Sequence, residues 1–269
     1  MLGAIAGDII GSPYEFDENN IKTKDFPLFS GSSTFTDDTV MTVAVAEGLM
    51  NGYGDPQKTE KEIVKSMQKF GRRYPGAGYG VMFYEWLFSD GPEPYNSFGN
   101  GAAMRVSACA WLYEDLQMVQ DYAAITARVT HDHMEGIKGA MSAASAICMA
   151  REGAGKDDIR KYITEEYGYD LSRTCDEIRP GYRHVESCQQ TVPEAITAFL
   201  EGSSFEDVVR LAVSLGGDSD TLTAIAASIA EAYYPMPEEI RRKVTAMLPD
   251  DLREVLDRFA SFTVEARHL

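Results

Sequence analysis

An all-α fold is the class this sequence predicts, and three observations predict it. Apolar residues recur at steps of three and four along most of the 269 residues, the period of a helix that buries one face. Capping and breaking residues fall where that period starts and stops. No segment alternates apolar and polar residues with enrichment in β-branched types, as a strand would. Neither an internal repeat nor a low-complexity linker divides the chain. A single compact multi-helix domain over 1–269 is therefore expected.

In chain order, helices are expected at 39–50, 57–71, 79–88, 101–113, 118–129 and 133–151. The second half adds 156–167, 191–201, 204–214, 219–234, 237–245 and 248–261. The helix at 39–50 follows Thr36-Asp37-Asp38-Thr39 and continues through Val40 to Ala46. Pro193 stands near the start of 191–201, where a missing N–H is tolerated. Ser204, with Asp207 three residues on, marks an N-cap, and Val208, Leu211, Ala212 and Leu215 form the stripe that follows it. Asp218-Ser219-Asp220-Thr221 opens the helix at 219–234, and Pro235 and Pro237 follow its end. Glycine-bearing loops are expected at 3–11, 71–80, 91–101 and 216–217.

Acidic residues outnumber basic ones by 42 to 25, a formal charge of −17. That balance repels nucleic-acid backbones and anionic membrane surfaces, so neither is an expected partner. A phosphate-bearing small ligand remains compatible, because a metal ion or a helix terminus reverses the field locally. No stretch approaches the ~20 apolar residues that span a bilayer. The segment Met1 to Ile10 lacks a basic flank and is interrupted by Gly3, Gly7 and Asp8, so it does not read as a signal peptide. Four cysteines, Cys109, Cys148, Cys175 and Cys188, show no paired framework. Cys109 and Cys148 read as buried small hydrophobes, and a cytoplasmic location is expected.

The chemistry concentrates in the two acidic motifs. Carboxylates beside hydroxyls are the ligands a hard cation takes. For Thr36-Asp37-Asp38-Thr39 alone, metal ligation and helix capping both account for the residues. In the second motif Gly216-Gly217 allows the backbone to aim Asp218 and Asp220 inward, with Thr221 adding a hydroxyl. Two elaborate caps explain the pair less well than one two-metal site. Two ions about 3.5–4 Å apart can share a carboxylate, and Asp220 is the choice for that bridge.

Other segments are weaker signals. Glu15 lies between Tyr14 and Phe16, company that raises a carboxyl pKa and suits proton transfer, although an exposed loop glutamate is the simpler local reading. Asp8 reads as structural, a cap or a bond to loop amides. Ser97-Phe98-Gly99-Asn100-Gly101 precedes a helix and offers N–H groups to a phosphate, with Phe98 available to stack on a base. Arg105, in an otherwise apolar segment, is expected in a buried structural ion pair. His131 and His133 lack further zinc ligands nearby, as do His184 and Cys188. For His131, a bond to a ligand and a purely structural role both stay open.

Taken in order, these motifs resemble the ADP-ribosylglycohydrolases. The matching segments are Gly3-Ala4-Ile5-Ala6-Gly7-Asp8 with Glu15, Phe35-Thr36-Asp37-Asp38-Thr39, Gly76-Ala77-Gly78-Tyr79-Gly80, Gly99-Asn100-Gly101-Ala102-Ala103-Met104-Arg105, Thr130-His131 and Leu215-Gly216-Gly217-Asp218-Ser219-Asp220-Thr221. The resemblance implies an all-α fold with two Mg2+ (or Mn2+) ions in a cleft. It implies Thr36, Asp37, Asp38, Asp218, Asp220 and Thr221 as metal ligands and Glu15 as a catalytic residue. Ser97, Phe98, Gly99, Asn100 and Gly101 would hold the diphosphate and adenine, and His131 would contact the ligand. The implied reaction frees ADP-ribose from an ADP-ribosylated protein or a small ADP-ribose conjugate by attack at the anomeric carbon.

The chain departs from arginine-directed members at Tyr74-Pro75-Gly76-Ala77-Gly78-Tyr79-Gly80, which has no acid. That departure puts an arginine-linked substrate in doubt. The 170–190 segment, with Arg173, Arg179, Arg183 and His184, departs most from the family pattern. Two alternatives stand beside this reading. A non-catalytic ADP-ribose-binding module would keep the ligands but could dispense with Glu15. A class I terpenoid synthase is also all-α, but its first motif needs a third Asp where Met41 and Thr42 stand.

Overall fold

The computed structural model describes residues 1–266, and every helix expected from the periodicity is present in it. The first half comprises α1 (Leu2–Gly11), a 3-10 turn (Ser12–Tyr14), α2 (Asp37–Gly52), α3 (Pro56–Arg73), α4 (Val81–Phe88), α5 (Gly101–Met104), α6 (Ser107–Leu112) and α7 (Leu116–Arg128). The second comprises α8 (Met134–Arg151), α9 (Lys156–Tyr167), α10 (Cys175–Ile178), α11 (Cys188–Glu201) and α12 (Phe205–Leu215). It closes with α13 (Ser219–Tyr233), α14 (Glu238–Met247) and α15 (Asp250–Ala266). No β-strand forms among the described residues; one isolated bridge joins Gly99 to Ser187. No described helix is long and apolar enough to cross a membrane.

The main difference lies at 3–11, which is a helix and not a glycine-bearing loop. Gly3, Gly7 and Gly11 recur every four residues, so they share one face of α1. That face lies directly on the backbone of α13, antiparallel to it. A Cβ on Gly3 would stand 2.4 Å from the Ala227 carbonyl oxygen, on Gly7 2.3 Å from that of Thr223, and on Gly11 2.5 Å from that of Ser219. The glycines are the contact surface. The remaining faces of α1 carry Ile5, Ile9 and Ile10, which are fully buried and add the hydrophobic driving force.

Other differences are local. The stretch 101–113 is two helices that part at Arg105 and Val106. Both joint residues keep near-helical dihedrals, so the apolar spacing runs through the break. Pro193 lies inside α11, which starts at Cys188, and its missing N–H leaves the Gln189 carbonyl without a helical donor. Ser204 caps α12 as expected, accepting from the Asp207 amide at 3.1 Å. Cys109 and Cys148 are buried and free, as are Cys175 and Cys188.

The architecture brings the N-termini of α2 and α13 to one end of the bundle. Gly7→Ala should force α1 and α13 apart and cost about 1–3 kcal/mol or more, as overpacking does. Differential scanning calorimetry would show this as a melting point lowered by several degrees. Gly31, which has nothing within 4 Å of its Cβ position, is the control: Gly31→Ala should stay within about 0.5 kcal/mol of wild type. Equal melting of both variants would contradict the close helix contact.

Candidate metal centre

Five carboxylates from four segments converge where α1, α2 and α13 meet. Oxygens of Asp8, Asp38 and Asp220 lie within 4.8 Å of one another, and so do oxygens of Glu15, Asp218 and Asp220. Asp220 belongs to both sets, the arrangement a bridging ligand requires. Thr221 Oγ1 donates to Asp38 Oδ2 at 3.0 Å, and Thr36 Oγ1 donates to Asp8 Oδ1 at 2.8 Å. Asp37 stands beside these sets. Its backbone N–H donates to the Ala77 carbonyl at 2.8 Å, and Gly78 lies against its side chain.

Capping does not account for the motifs. Asp218 is the N-cap residue of α13, yet its side chain accepts from no α13 amide. It accepts instead from Asn100 Nδ2 at 2.7 Å. At α2 the cap is Thr36. The head of α2 is further satisfied from a distance by Asp8, which accepts from the backbone N–H groups of Thr36 (2.9 Å) and Thr39 (3.1 Å) and from both hydroxyls. Asp8 is thus structural, as expected, and also a member of the cluster, which its sequence position did not indicate.

The electrostatics call for a cation. At an effective dielectric of about 20, two carboxylate charges 4.8 Å apart repel by roughly 3.5 kcal/mol. Burial, reinforced by Asp220, holds the carboxyls of Asp37 and Asp38 well above the ordinary range. Burial and Asp218 do the same to Asp220. Burial pushes Asp8 and Asp218 only to about 6, because hydrogen bonds favour their charged forms. Glu15 is raised to about 7 by burial and by Asp220, against the opposing effect of His184. Asp38 Oδ1 is buried with no hydrogen-bond partner. Hard oxygen donors, an orphaned buried oxygen and unrelieved like charge fit divalent cations.

The 97–101 loop borders this centre through Asn100, whose side chain is buried between Asp218 and Thr191. Two loop amides are engaged within the protein: Gly99 N–H donates to Ser97 Oγ at 3.1 Å, and Asn100 N–H to the Glu186 carbonyl at 2.7 Å. Phe98 is 48% exposed, its ring edge-on to His133. His131 is buried, with Nε2 against Gly99 and Gly101. Burial and the neighbouring Arg105 keep it neutral. His133 Nδ1 accepts from the Glu135 amide and caps α8.

Arg105 is buried as expected, but no carboxylate pairs with it among the described residues. It donates to the Thr126 carbonyl and to Thr130 Oγ1, which also bonds His131 Nδ1 at 2.7 Å. The 182–188 segment proves to be a wall of the site. His184 N–H donates to Asp17 Oδ1 at 2.8 Å, its ring lies against Phe16, and Cys188 N–H donates to the Phe98 carbonyl. Nothing in the spacing of that segment pointed there, because most of its bonds to the neighbouring loops are made by backbone atoms.

The sequence model of the ADP-ribosylglycohydrolase family matches residues 1–268. Human ADP-ribosylhydrolase ARH3 is 27% identical over 88% of this chain and 85% of its own length. The ADP-ribosylarginine hydrolase Tri1 of Pseudomonas putida is 23% identical over 91% of this chain and 72% of its own length. A solved structure described as an ADP-ribosylglycohydrolase-related protein complex shares the fold, with a TM-score of 0.67 and 24% identity over 97% of both chains.

Titrating Mg2+ or Mn2+ into metal-stripped protein should raise the melting temperature saturably, as any ligand of the native state does. In Asp220→Asn, which removes the shared charge, the thermal-shift curve should be flat while the metal-free protein melts at or above the wild-type temperature. An unchanged titration in that variant would remove Asp220 from the metal centre.

Proposed function

The chain belongs to the ADP-ribosylglycohydrolase family, and from that premise we propose that it is a Mg2+-dependent hydrolase of ADP-ribosyl groups, with Mn2+ able to replace Mg2+. It cleaves the glycosidic bond at the anomeric carbon and releases ADP-ribose. The observation that carries this reading is that Asp220 is shared by two carboxylate sets, one of which includes Glu15. A module that only binds ADP-ribose has no need of a half-buried glutamate there.

The ions, when bound, supply charge that orients the ribose hydroxyls and acidifies water. Asp38, Asp218 and Asp220, with Asp37, Thr36 and Thr221 around them, would hold the ions. Glu15, on the Asp218–Asp220 side, carries the proton between water and the leaving group as the sugar passes through an oxocarbenium-like state. Asn100 orients Asp218 through its 2.7 Å hydrogen bond. Ser97 to Gly101, with His131 behind them, receive the diphosphate, and Phe98 meets the adenine.

The acceptor follows from the 74–80 loop. Where that loop meets Asp37 it presents the Ala77 carbonyl, Gly78 and the buried Tyr79 hydroxyl, none of them anionic. A guanidinium would find no counter-charge from this loop. This loop favours a neutral linkage, such as a serine O-glycoside, an acetyl ester of ADP-ribose or a nucleotide-derived conjugate, over an arginine-linked one.

With Mg2+, the protein should release ADP-ribose from serine-linked peptides or from O-acetyl-ADP-ribose, and far less from arginine-linked peptides, as read by chromatography. Glu15→Gln should lower kcat by about 10²-fold or more, and Asp220→Ala should abolish turnover. Tight ADP-ribose binding without release from any conjugate would replace the hydrolase by a binding module.

A further inference from the structure

Glu15 has to be aimed, and its carboxylate accepts no hydrogen bond among the described residues. Its direction is set by the backbone of the loop that carries it. Two side chains grip that loop: Asn19 Nδ2 donates to the Glu15 carbonyl at 3.0 Å, and Asn20 ties the carbonyls on either side to the second acidic motif. Asn20 Nδ2 shares its two N–H bonds among three carbonyl oxygens: Tyr14 at 2.7 Å, Phe16 at 2.7 Å and Gly217 at 3.0 Å. Asn20 Oδ1 accepts from the Gly217 N–H at 2.5 Å. The first two carbonyls flank Glu15. The Gly217 N–H and carbonyl stand immediately before Asp218. We propose that Asn20 is the positioning residue that holds Glu15 against the second acidic motif.

The surroundings are built for this grip. Gly216 and Gly217 both have φ of +75°, and a Cβ on Gly216 would stand 2.5 Å from Asn20 Oδ1 and 2.6 Å from Lys22 Nζ. The glycines thus serve the approach of Asn20 as well as the turn into α13. Phe16 has φ of +65°, a conformation that a bulky residue keeps only when neighbours enforce it. Its carbonyl is bound by Asn20 Nδ2 and by the Asn19 amide. Lys22 adds a second strap, donating to the Leu215 carbonyl at the C-terminus of α12 and to that of Tyr182. Asn20 hydrogen-bonds neither the clustered carboxylates nor the 97–101 loop, so it acts through backbone: Tyr14 and Phe16 beside Glu15, and Gly217 before Asp218.

This inference rests on Glu15 serving the hydrolase reaction proposed above, and the test separates the two. In Asn20→Ala, Mg2+ and ADP-ribose should bind within about threefold of wild type, while kcat falls by about 10²-fold, the loss a misplacement near 1 Å brings. In a Glu15→Gln background the same substitution should cost less than about threefold more, because both changes remove one function. Hydrogen exchange at the Gly217 amide and across 14–20 should accelerate, with the helices unchanged. If Asn20→Ala does not fold, Asn20→Asp replaces it: it keeps the acceptor for Gly217 and loses the donor for Tyr14 and Phe16. Unchanged kcat, an equal loss in both backgrounds, or ADP-ribose binding lost along with turnover would each overturn the assignment. If the wild type cleaves no conjugate, the hydrolase reading fails, and the exchange measurement alone decides whether Asn20 holds the loop.

Discussion

The contact of α1 with α13, backbone on backbone through Gly3, Gly7 and Gly11, is the constraint on which the acidic end of the molecule depends. With no side chain between them, the two helices have one relative height and one crossing. That register places the end of α1 beside the head of α13. Glu15 follows one short turn later and arrives next to Asp218 and Asp220. On another face of α1, Asp8 meets the head of α2 and delivers Asp38 to the same place. Shifting α1 by a turn would carry Asp8 and Glu15 together away from Asp38 and Asp220.

Such a gathering of charge has to be tolerated while no cation is bound. The N-termini of α2 and α13 point their partial positive charge into it, roughly half an elementary charge each. Hydrogen bonds then divide the acids into two kinds. Asp8, with four donors, is a framework group that ties helices together. Asp37, Asp38 and Asp220 receive far less relief, and their carboxyls are pushed up the furthest. Those least satisfied by the protein are best able to accept an ion. The strong negative balance of the whole chain leaves this local hierarchy unaltered, because it depends on groups within a few ångströms.

How much was legible in the sequence follows from where each signal resides. The longer helices from α2 onward carry apolar stripes, and their extents were read to within a few residues; the one-turn α10 was not expected, and α5 and α6 were read as one helix. The two acidic motifs showed both their residue types and their helix-opening context. Helix α1 escaped because glycine reads locally as a breaker, whereas here it is a contact surface visible only beside α13. The burial of Arg105 was legible, but its partners were not, because a carbonyl and a hydroxyl stand where a carboxylate was expected. Asn20, the side chain of Asn100 and the 182–188 wall act on backbone atoms or side chains many residues away. Bonds of that kind leave no periodicity and no motif.

The seam between α1 and α13 also orders events in time. Helix α1 leaves the ribosome before α13, and the surface it needs is not made until residues 219–227 follow. Until then Ile5, Ile9 and Ile10, fully buried in the finished protein, have no permanent cover. Contacts so distant in sequence form late and slowly. The mutually repelling acids are therefore brought together only after α13 has been made, when a divalent ion from solution can join the assembly as it closes.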